Sequence, residues 1–141
     1  MNRLLIPLIA VIGVALLLGG CSAPAGLSVF QRDATVDDQL PAGLPDHPKM
    51  EYSRLLAESD GVRYFAAQAE GPNLTCLVKV PHDNTALFVT GCGKSVGTGQ
   101  IVTVSGADGS AATLVTDGFD TKELEAKGWR KIQANVLVDR R

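Results

Sequence analysis

The stretch NLTCLVKVPHDNTALFVTGC, residues 73–92, decides the fold of this 141-residue chain. In its first half, every second position carries a side chain suited to a buried face: Leu74, Cys76, Val78 and Val80. This period of two is that of a β-strand. The residues PHDN, 81–84, are predicted to turn the chain, and TALFVTGC, 85–92, to return it as an antiparallel partner strand.

One pairing register of this hairpin brings its two cysteines together. It sets Cys76 directly opposite Cys92, and the same register sets Val80 opposite Phe88. Directly opposed residues of a non-hydrogen-bonded pair have Cα atoms close enough for a disulfide, so a Cys76–Cys92 bond is predicted. In the chain-entropy treatment, a loop of this size contributes about 3 kcal/mol of stability, a large share of the total for a small domain.

Further strand patterns flank this hairpin on both sides. SRLLAES and VRYFAAQ, residues 53–59 and 62–68, surround Asp60-Gly61, a dipeptide typical of two-residue hairpin turns. The first arm also fits an amphipathic helix, but the turn favours a strand. Later strands are predicted for QIVTV, AATLVT and IQANVLV, residues 100–104, 111–116 and 132–138.

One short helix is predicted within DGFDTKELEAKGW, residues 117–129. Asp120 suits the N-cap, Glu123 follows at capping-box spacing, and Gly128 suits the C-terminal end. The predicted fold class is therefore mostly β. We expect a small antiparallel domain of hairpins over residues 50–141, with one short C-terminal helix, preceded by an N-terminal signal helix.

The N-terminus has the composition of an export signal. A short head with one basic residue, Arg3, precedes an apolar run over residues 4–18. This run of 15 residues is short for a membrane span, which needs about 20. A Gly-Gly pair then precedes Cys21. A basic head, a short apolar core and small residues at its end are typical of a secretory signal peptide, here residues 1–20.

Leu18-Gly19-Gly20-Cys21 resembles the lipobox of bacterial lipoproteins. The resemblance implies that the Cys21 thiol receives a diacylglycerol and that a signal peptidase cuts immediately before it. The acyl chains would then hold the protein on the extracytoplasmic face of the cell membrane, because two chains anchor stably whereas one binds marginally. An ordinary signal peptide with a chance cysteine and an N-terminal anchor helix are the alternatives.

Residues 21–49 are predicted to form a Pro-rich tether or arm between the lipid anchor and the domain. The prolines of LPAGLPDHP, residues 40–48, remove backbone donors and oppose a regular ladder. Val29, Phe30 and Leu40 are apolar exceptions, and they would allow the segment to dock on the domain as an extended arm.

Charge and cysteine content narrow the possible partners. The chain carries 13 basic and 15 acidic residues, and removal of the signal peptide takes away only Arg3. This mildly acidic balance gives no electrostatic reason to bind nucleic acid and no polybasic attraction to membranes. With Cys21 lipidated, Cys76 and Cys92 remain as an even pair, as expected of an exported protein.

The sequence contains no recognisable catalytic motif, and we predict no catalytic residue, no metal site and no cofactor. GCGKS, residues 91–95, lacks the earlier glycine of a phosphate-binding loop, because Phe88 stands at that position. His47 and His82 have no metal-ligand neighbour at the usual spacing. The serines of the chain do not lie in a Gly-x-Ser-x-Gly elbow.

Phe65 and Leu77 are predicted to lie on the sheet face opposite the two cysteines, and two arrangements are open for them. If both side chains are exposed, they form a possible partner-binding patch. If both are buried, the sheet is covered on its two faces, by the arm and by the helix.

The sequence therefore predicts a non-catalytic binding or scaffold module anchored at the cell envelope, with an envelope protein or the cell wall as partner. A surface hydrolase, which requires a serine or carboxylate beside His47 or His82, and a transporter-accessory lipoprotein are the alternatives. The whole chain also resembles short, uncharacterised lipoproteins of high-GC bacteria, a resemblance that implies no known activity. It lies in the stretches TCLVKV, VTGCGKS, TDGFD and GWRKIQANVLV.

Overall fold

The computed structural model describes residues 26–71 and 73–139. The predicted signal peptide, residues 1–20, and the predicted lipidation site Cys21 lie outside these residues. Within the described ranges, eight strands form two four-stranded antiparallel sheets, and a single short α-helix is present. The prediction of a mostly β fold with antiparallel hairpins is therefore confirmed.

The first sheet contains the four N-terminal strands in chain order: β1 Met50–Ser59, β2 Val62–Ala69, β3 Leu74–Pro81 and β4 Val89–Lys94. The second sheet has the order β5-β6-β8-β7, from β5 Gln100–Ser105, β6 Ala111–Val115, β7 Trp129–Gln133 and β8 Val136–Asp139. The helix α1, Lys122–Ala126, lies between β6 and β7 in the chain. The N-terminal arm, residues 26–49, carries two short 3-10 helices, Ser28–Gln31 and Val36–Asp38.

The β1–β2 hairpin turns at Asp60-Gly61, as predicted. Both residues have positive φ, 52° at Asp60 and 73° at Gly61, as a two-residue hairpin turn of this type requires. The turn chemistry therefore decides that the preceding segment is a strand, although its side-chain pattern also fits a helix.

The predicted register of the β3–β4 hairpin is confirmed, because Cys76 pairs with Cys92. The return strand begins later than predicted. Residues Thr85–Leu87 form a 3-10 helix whose first turn is capped by the side chain of Asn84. The ladder consequently ends at the pair Lys79 and Val89.

A disulfide joins the two strands of this hairpin. The Sγ atoms of Cys76 and Cys92 lie 2.01 Å apart and their Cα atoms lie 3.9 Å apart. Cys76 is fully buried. The predicted disulfide is therefore present, and it holds β4 against the central strand β3.

The predicted helix is present, with its start displaced by one residue. Thr121, not Asp120, occupies the N-cap position, and its hydroxyl donates to Glu125 at 2.5 Å. Asp120 still accepts a hydrogen bond from the backbone of Lys122 at 3.1 Å. Gly128 follows the helix with a φ of 100°, the left-handed conformation that suits glycine.

The two sheets pack face to face around the main core. From the first sheet this core receives Tyr64, Ala66 and Leu77, and from the second Val104, Ala112, Leu114, Val136 and Val138. The opposite face of the first sheet carries Phe65, Val78 and Val80, which are covered by Leu40 and Leu44 of the arm and by Phe88. The first sheet is thus buried on both faces.

The predicted patch of Phe65 and Leu77 is wrong, because both side chains are fully buried. They also lie on opposite faces, since Phe65 pairs with Val78 and Leu77 pairs with Ala66 in the β2–β3 ladder. The arrangement with two covered faces is the one observed. The second sheet, rather than the helix, covers the face of Leu77.

The arm is attached to the second sheet at its first described residues. The backbone carbonyl of Gly26 accepts a hydrogen bond from Asp117 at 3.1 Å, and the Ser28 amide donates to Asp117 Oδ2 at 2.6 Å. Leu27, between them, is buried in the core between the sheets. Burial raises the pKa of Asp117, but hydrogen bonds from Asn135 and Ser28 outweigh it and lower the pKa overall.

A buried carboxylate attaches the middle of the arm to the edge strand β1. Asp38 Oδ1 accepts from the Leu55 amide at 2.7 Å and from Arg32 Nη2 at 2.6 Å. Asp38 Oδ2 accepts from Arg32 Nη1 and from the Thr35 amide, both at 2.7 Å. The Arg32 guanidinium, with these amides, holds the pKa of Asp38 well below its usual range.

Replacing Asp38 with Asn is expected to lower the free energy of unfolding by about 1–3 kcal/mol, the range for hydrogen bonds to charged groups. The reason is that an amide nitrogen cannot accept from the Arg32 guanidinium. Because folding lowers the pKa of Asp38, its contribution is complete above its unfolded pKa of about 3.9. The contribution declines as the pH falls further toward the folded-state pKa, so urea unfolding at about pH 7 and about pH 3 measures it.

The matched control is Asp37→Asn, because Asp37 lies in the same 3-10 helix and is exposed. The control is expected to leave the urea midpoint unchanged at both pH values. Equal losses for the two variants would contradict the role of Asp38.

Candidate functional site

A cleft of about 290 Å³ lies at one end of the two sheets. It is bordered by the β1–β2 turn, the segment that follows β3, and the β5–β6 turn. Its lining includes apolar and charged side chains: Asp60, Val62, Lys79, Pro81, Leu87 and Asp108. We call this feature the end cleft.

A buried lysine forms part of the cleft wall. Strand alternation places Lys79 on the same face as Leu77, which is the face toward the second sheet. The Lys79 side chain is only 4% exposed. Its Nζ donates a short hydrogen bond to the Ser110 hydroxyl and lies 3.4 Å from the Ser110 carbonyl oxygen. Lys79 therefore connects the central strand of one sheet to the β5–β6 turn of the other.

The β5–β6 turn supplies an acidic partner for this lysine. Asp108 Oδ1 lies 3.6 Å from Lys79 Nζ, and the Asp108 side chain is 67% exposed. The Ser110 hydroxyl lies 2.7 Å and 2.8 Å from the two carboxylate oxygens of Asp108. Hydrogen bonds from Ser110, with a smaller effect of the Lys79 charge, lower the pKa of Asp108.

Gly106 lies close to both charged groups of this cluster. A Cβ atom added to Gly106 would lie 2.6 Å from Asp108 Oδ1 and 3.0 Å from Lys79 Nζ. Any other residue at position 106 would require the ends of the Asp108 and Lys79 side chains to shift.

Tyr64 lies beside this cluster, because it pairs with Lys79 in the β2–β3 ladder. Burial raises the pKa of Tyr64, and the negative charge of Asp60 adds to the effect. Asp60 is itself bound by Arg130 of β7, whose Nη2 lies 2.5 Å from Asp60 Oδ2. The β1–β2 turn is thereby connected to the second sheet.

A second depression lies between the arm and β1. Tyr52 lies at an irregularity in the β1–β2 register, with a φ of 49° that is unusual for a non-glycine residue. Its side chain is 67% exposed, and Val36 of the arm is 78% exposed. Arg54 lines the same depression, and within the described part of the chain its buried Nε atom has no hydrogen-bond partner.

A carboxylate lies beside His82, as the hydrolase alternative requires, but the pair is half exposed on the surface and does not line the end cleft. His82 Nε2 lies 3.7 Å from Glu58 Oε1, and both side chains are about half exposed. His47 and its neighbour Asp46 line a depression of about 420 Å³ with Leu40, Leu44 and Met50. Across residues 26–71 and 73–139, no three His, Cys, Asp or Glu side chains are grouped as a metal site requires.

Sequence reasoning missed the cluster of Lys79, Asp108 and Ser110. The available signal was a lysine flanked by Val78 and Val80 in a strand that is otherwise apolar. The alternation of that strand was predicted correctly. The face that carries Lys79 was not recognised as covered, because the covering strands are distant in the sequence.

Comparisons with known proteins identify no relative of this chain. No family model, no curated protein and no solved structure matches the chain. In the part of the chain that the structure describes, no helix is long and apolar enough to cross a membrane.

Ser110→Ala is expected to lower the free energy of unfolding by about 1–3 kcal/mol, because the buried Lys79 ammonium loses its nearest acceptor. Lys79→Met is expected to cost less, under about 1 kcal/mol, because it removes the buried charge and leaves Asp108 in contact with water. Urea unfolding of both variants checks this order.

Ser105→Ala serves as the matched control, since Ser105 is exposed at the end of β5. A Lys79→Met variant that is less stable than Ser110→Ala would contradict the assignment of Ser110 as the main acceptor.

Proposed function

We propose that this chain is an exported lipoprotein, and that acyl chains on Cys21 hold a small binding domain on the extracytoplasmic face of the cell membrane. The observation that carries the proposal is the disulfide between Cys76 and Cys92. Disulfides persist in oxidising compartments and are rare in the cytosol. The disulfide therefore supports export independently of the signal-like residues 1–20.

The arm supports the idea of a domain held close to its anchor. Gly26, the first described residue, lies five positions after Cys21. Gly26 and Ser28 are both hydrogen-bonded to Asp117, and Leu27 is buried between them. The first residues of the described arm are thus attached to the turn that follows β6 of the second sheet.

The end cleft supports binding rather than catalysis. The Lys79 ammonium lies against the Asp108 carboxylate and donates to Ser110, so its protons are directed to acceptors within the cluster. Side chains that satisfy one another in this way form a fixed charged wall, which suits recognition by shape and charge. The proposed role is a binding or scaffold module for an envelope protein or the cell wall.

One observation favours the alternative of a surface hydrolase. A serine hydroxyl in contact with a buried lysine is the arrangement used when lysine activates a serine nucleophile. In this structure the Asp108 carboxylate lies 3.6 Å from Lys79 Nζ and accepts a hydrogen bond from the Ser110 hydroxyl, so it engages both groups of such a pair. Covalent labelling of Ser110 by an alkyl fluorophosphonate would decide for the hydrolase, and the binding module is expected to remain unlabelled.

Cys21→Ser is expected to release the protein from the membrane fraction of a bacterial host that modifies lipoproteins. The serine hydroxyl cannot form the thioether, so the wild-type chain alone is expected to incorporate an alkynyl fatty acid. Fractionation with fluorescence detection of the fatty acid measures both effects. Ser22→Ala is the matched control and is expected to remain lipidated. Equal incorporation of the fatty acid by Cys21→Ser and the wild-type chain would contradict lipidation at Cys21.

A further inference from the structure

The strands of the two sheets run between two opposite ends of the domain, and the first described residues, 26–28, lie at one of these ends. The end cleft lies at the end that contains the β1–β2 and β5–β6 turns. The opposite end contains residues 26–28, the β4–β5 loop at residues 95–99, and the turn at 116–118. We call this opposite end the anchor end.

Hydrogen bonds hold the loops of the anchor end together. The Thr116 amide donates to the Gly99 carbonyl at 2.9 Å, and the Gly99 amide donates to Thr116 Oγ1 at 2.7 Å. The next residue, Asp117, binds both Gly26 and Ser28. The β4–β5 loop and the start of the arm are therefore both hydrogen-bonded to the turn at residues 116–118.

The β4–β5 loop also lies directly beside the start of the arm. A Cβ atom added to Gly26 would lie 3.4 Å from the hydroxyl oxygen of Ser95. Ser95 is itself buried, whereas the next residue, Val96, is 65% exposed. Gly26 therefore lies beside the loop that carries this exposed apolar side chain.

Chain length decides which end can lie near the lipid. Cys21 and Gly26 are five positions apart, a length of chain that reaches at most about 18 Å when fully extended. The eight residues of β3, which run from the anchor end to the end cleft, span about 26 Å. The anchor end is within reach of a bilayer that holds Cys21, and the end cleft lies a full strand length farther away.

We infer that the β4–β5 loop rests on the lipid headgroups with Val96 toward the bilayer, so that the end cleft faces away from the membrane. This inference rests on the proposed lipid anchoring of Cys21. The acyl chains supply the membrane affinity, and Val96 adds a small apolar contact that selects the orientation. The partner of this surface is the bilayer, and the end cleft stays free for a ligand beyond it.

Tryptophan fluorescence tests the orientation, because Trp129 is the sole tryptophan of the chain. In a Trp129→Phe background, Val96→Trp reports on the loop and Leu87→Trp reports on the end cleft. Both host residues are exposed, at 65% and 58%. The full lipidated chains are reconstituted into phosphatidylcholine–phosphatidylglycerol vesicles that carry a spin label near the headgroup.

The spin label is expected to quench Val96→Trp strongly and to leave Leu87→Trp unquenched. Thr98→Trp, in the same exposed loop, provides a second reporter if Val96→Trp folds poorly, and it is expected to be quenched in the same way. The matched control adds Cys21→Ser to Val96→Trp, and this variant is expected to lose the quenching.

The failures of the two proposals are distinguishable in this experiment. Chains that float with the vesicles but show equal quenching at positions 96 and 87 would overturn the orientation and leave lipid anchoring intact. Chains that do not float with the vesicles would overturn both.

Discussion

The disulfide between Cys76 and Cys92 fixes the register of the hairpin on which the rest of the fold depends. Because side chains alternate along a strand, a slip of one residue would exchange the two faces of β3. In the observed register, Cys76 and Val78 face the arm, whereas Leu77 and Lys79 face the second sheet. The disulfide thus determines that Lys79 reaches the β5–β6 turn and helps to form the end cleft.

The arm is attached to both sheets, and its first described residues lie at the anchor end of the domain. Asp38 binds the arm to β1, and Asp117 binds its beginning to the second sheet. Both carboxylates have pKa values lowered by the hydrogen bonds they accept, so both attachments hold at neutral pH. A lipid attached five residues before Gly26 would then act on one end of the domain and leave the end cleft on the opposite side.

Local patterns were sufficient to predict the β1–β2 and β3–β4 hairpins, whereas residues 132–138, predicted as one strand, are divided by a turn between β7 and β8. The Asp60-Gly61 turn, the alternation along β3 and the opposition of the cysteines each depend on residues close together in the sequence. The relative faces of Phe65 and Leu77 were mispredicted, because they depend on how β2 and β3 align across their connection. That alignment sets Phe65 beside Val78, and no local turn motif specifies it.

The site and the attachments of the arm depend on contacts between distant residues. Lys79 meets Ser110 across 31 positions, and Ser28 meets Asp117 across 89. Nothing near Lys79 in the sequence indicates that a second sheet will cover it. Asp38 lies in a Pro-rich, polar segment where burial of a carboxylate has no sequence signal.

We propose, as the central claim, a disulfide-bonded domain that is exported and then held at the membrane by a lipid on Cys21. Mass spectrometry of the unreduced protein, isolated from the envelope of the cells that make it, tests this claim most directly. The account predicts one polypeptide that begins at an acylated Cys21 and contains a peptide pair joined through Cys76 and Cys92. A chain that retains Met1 and has free thiols at both positions would contradict it.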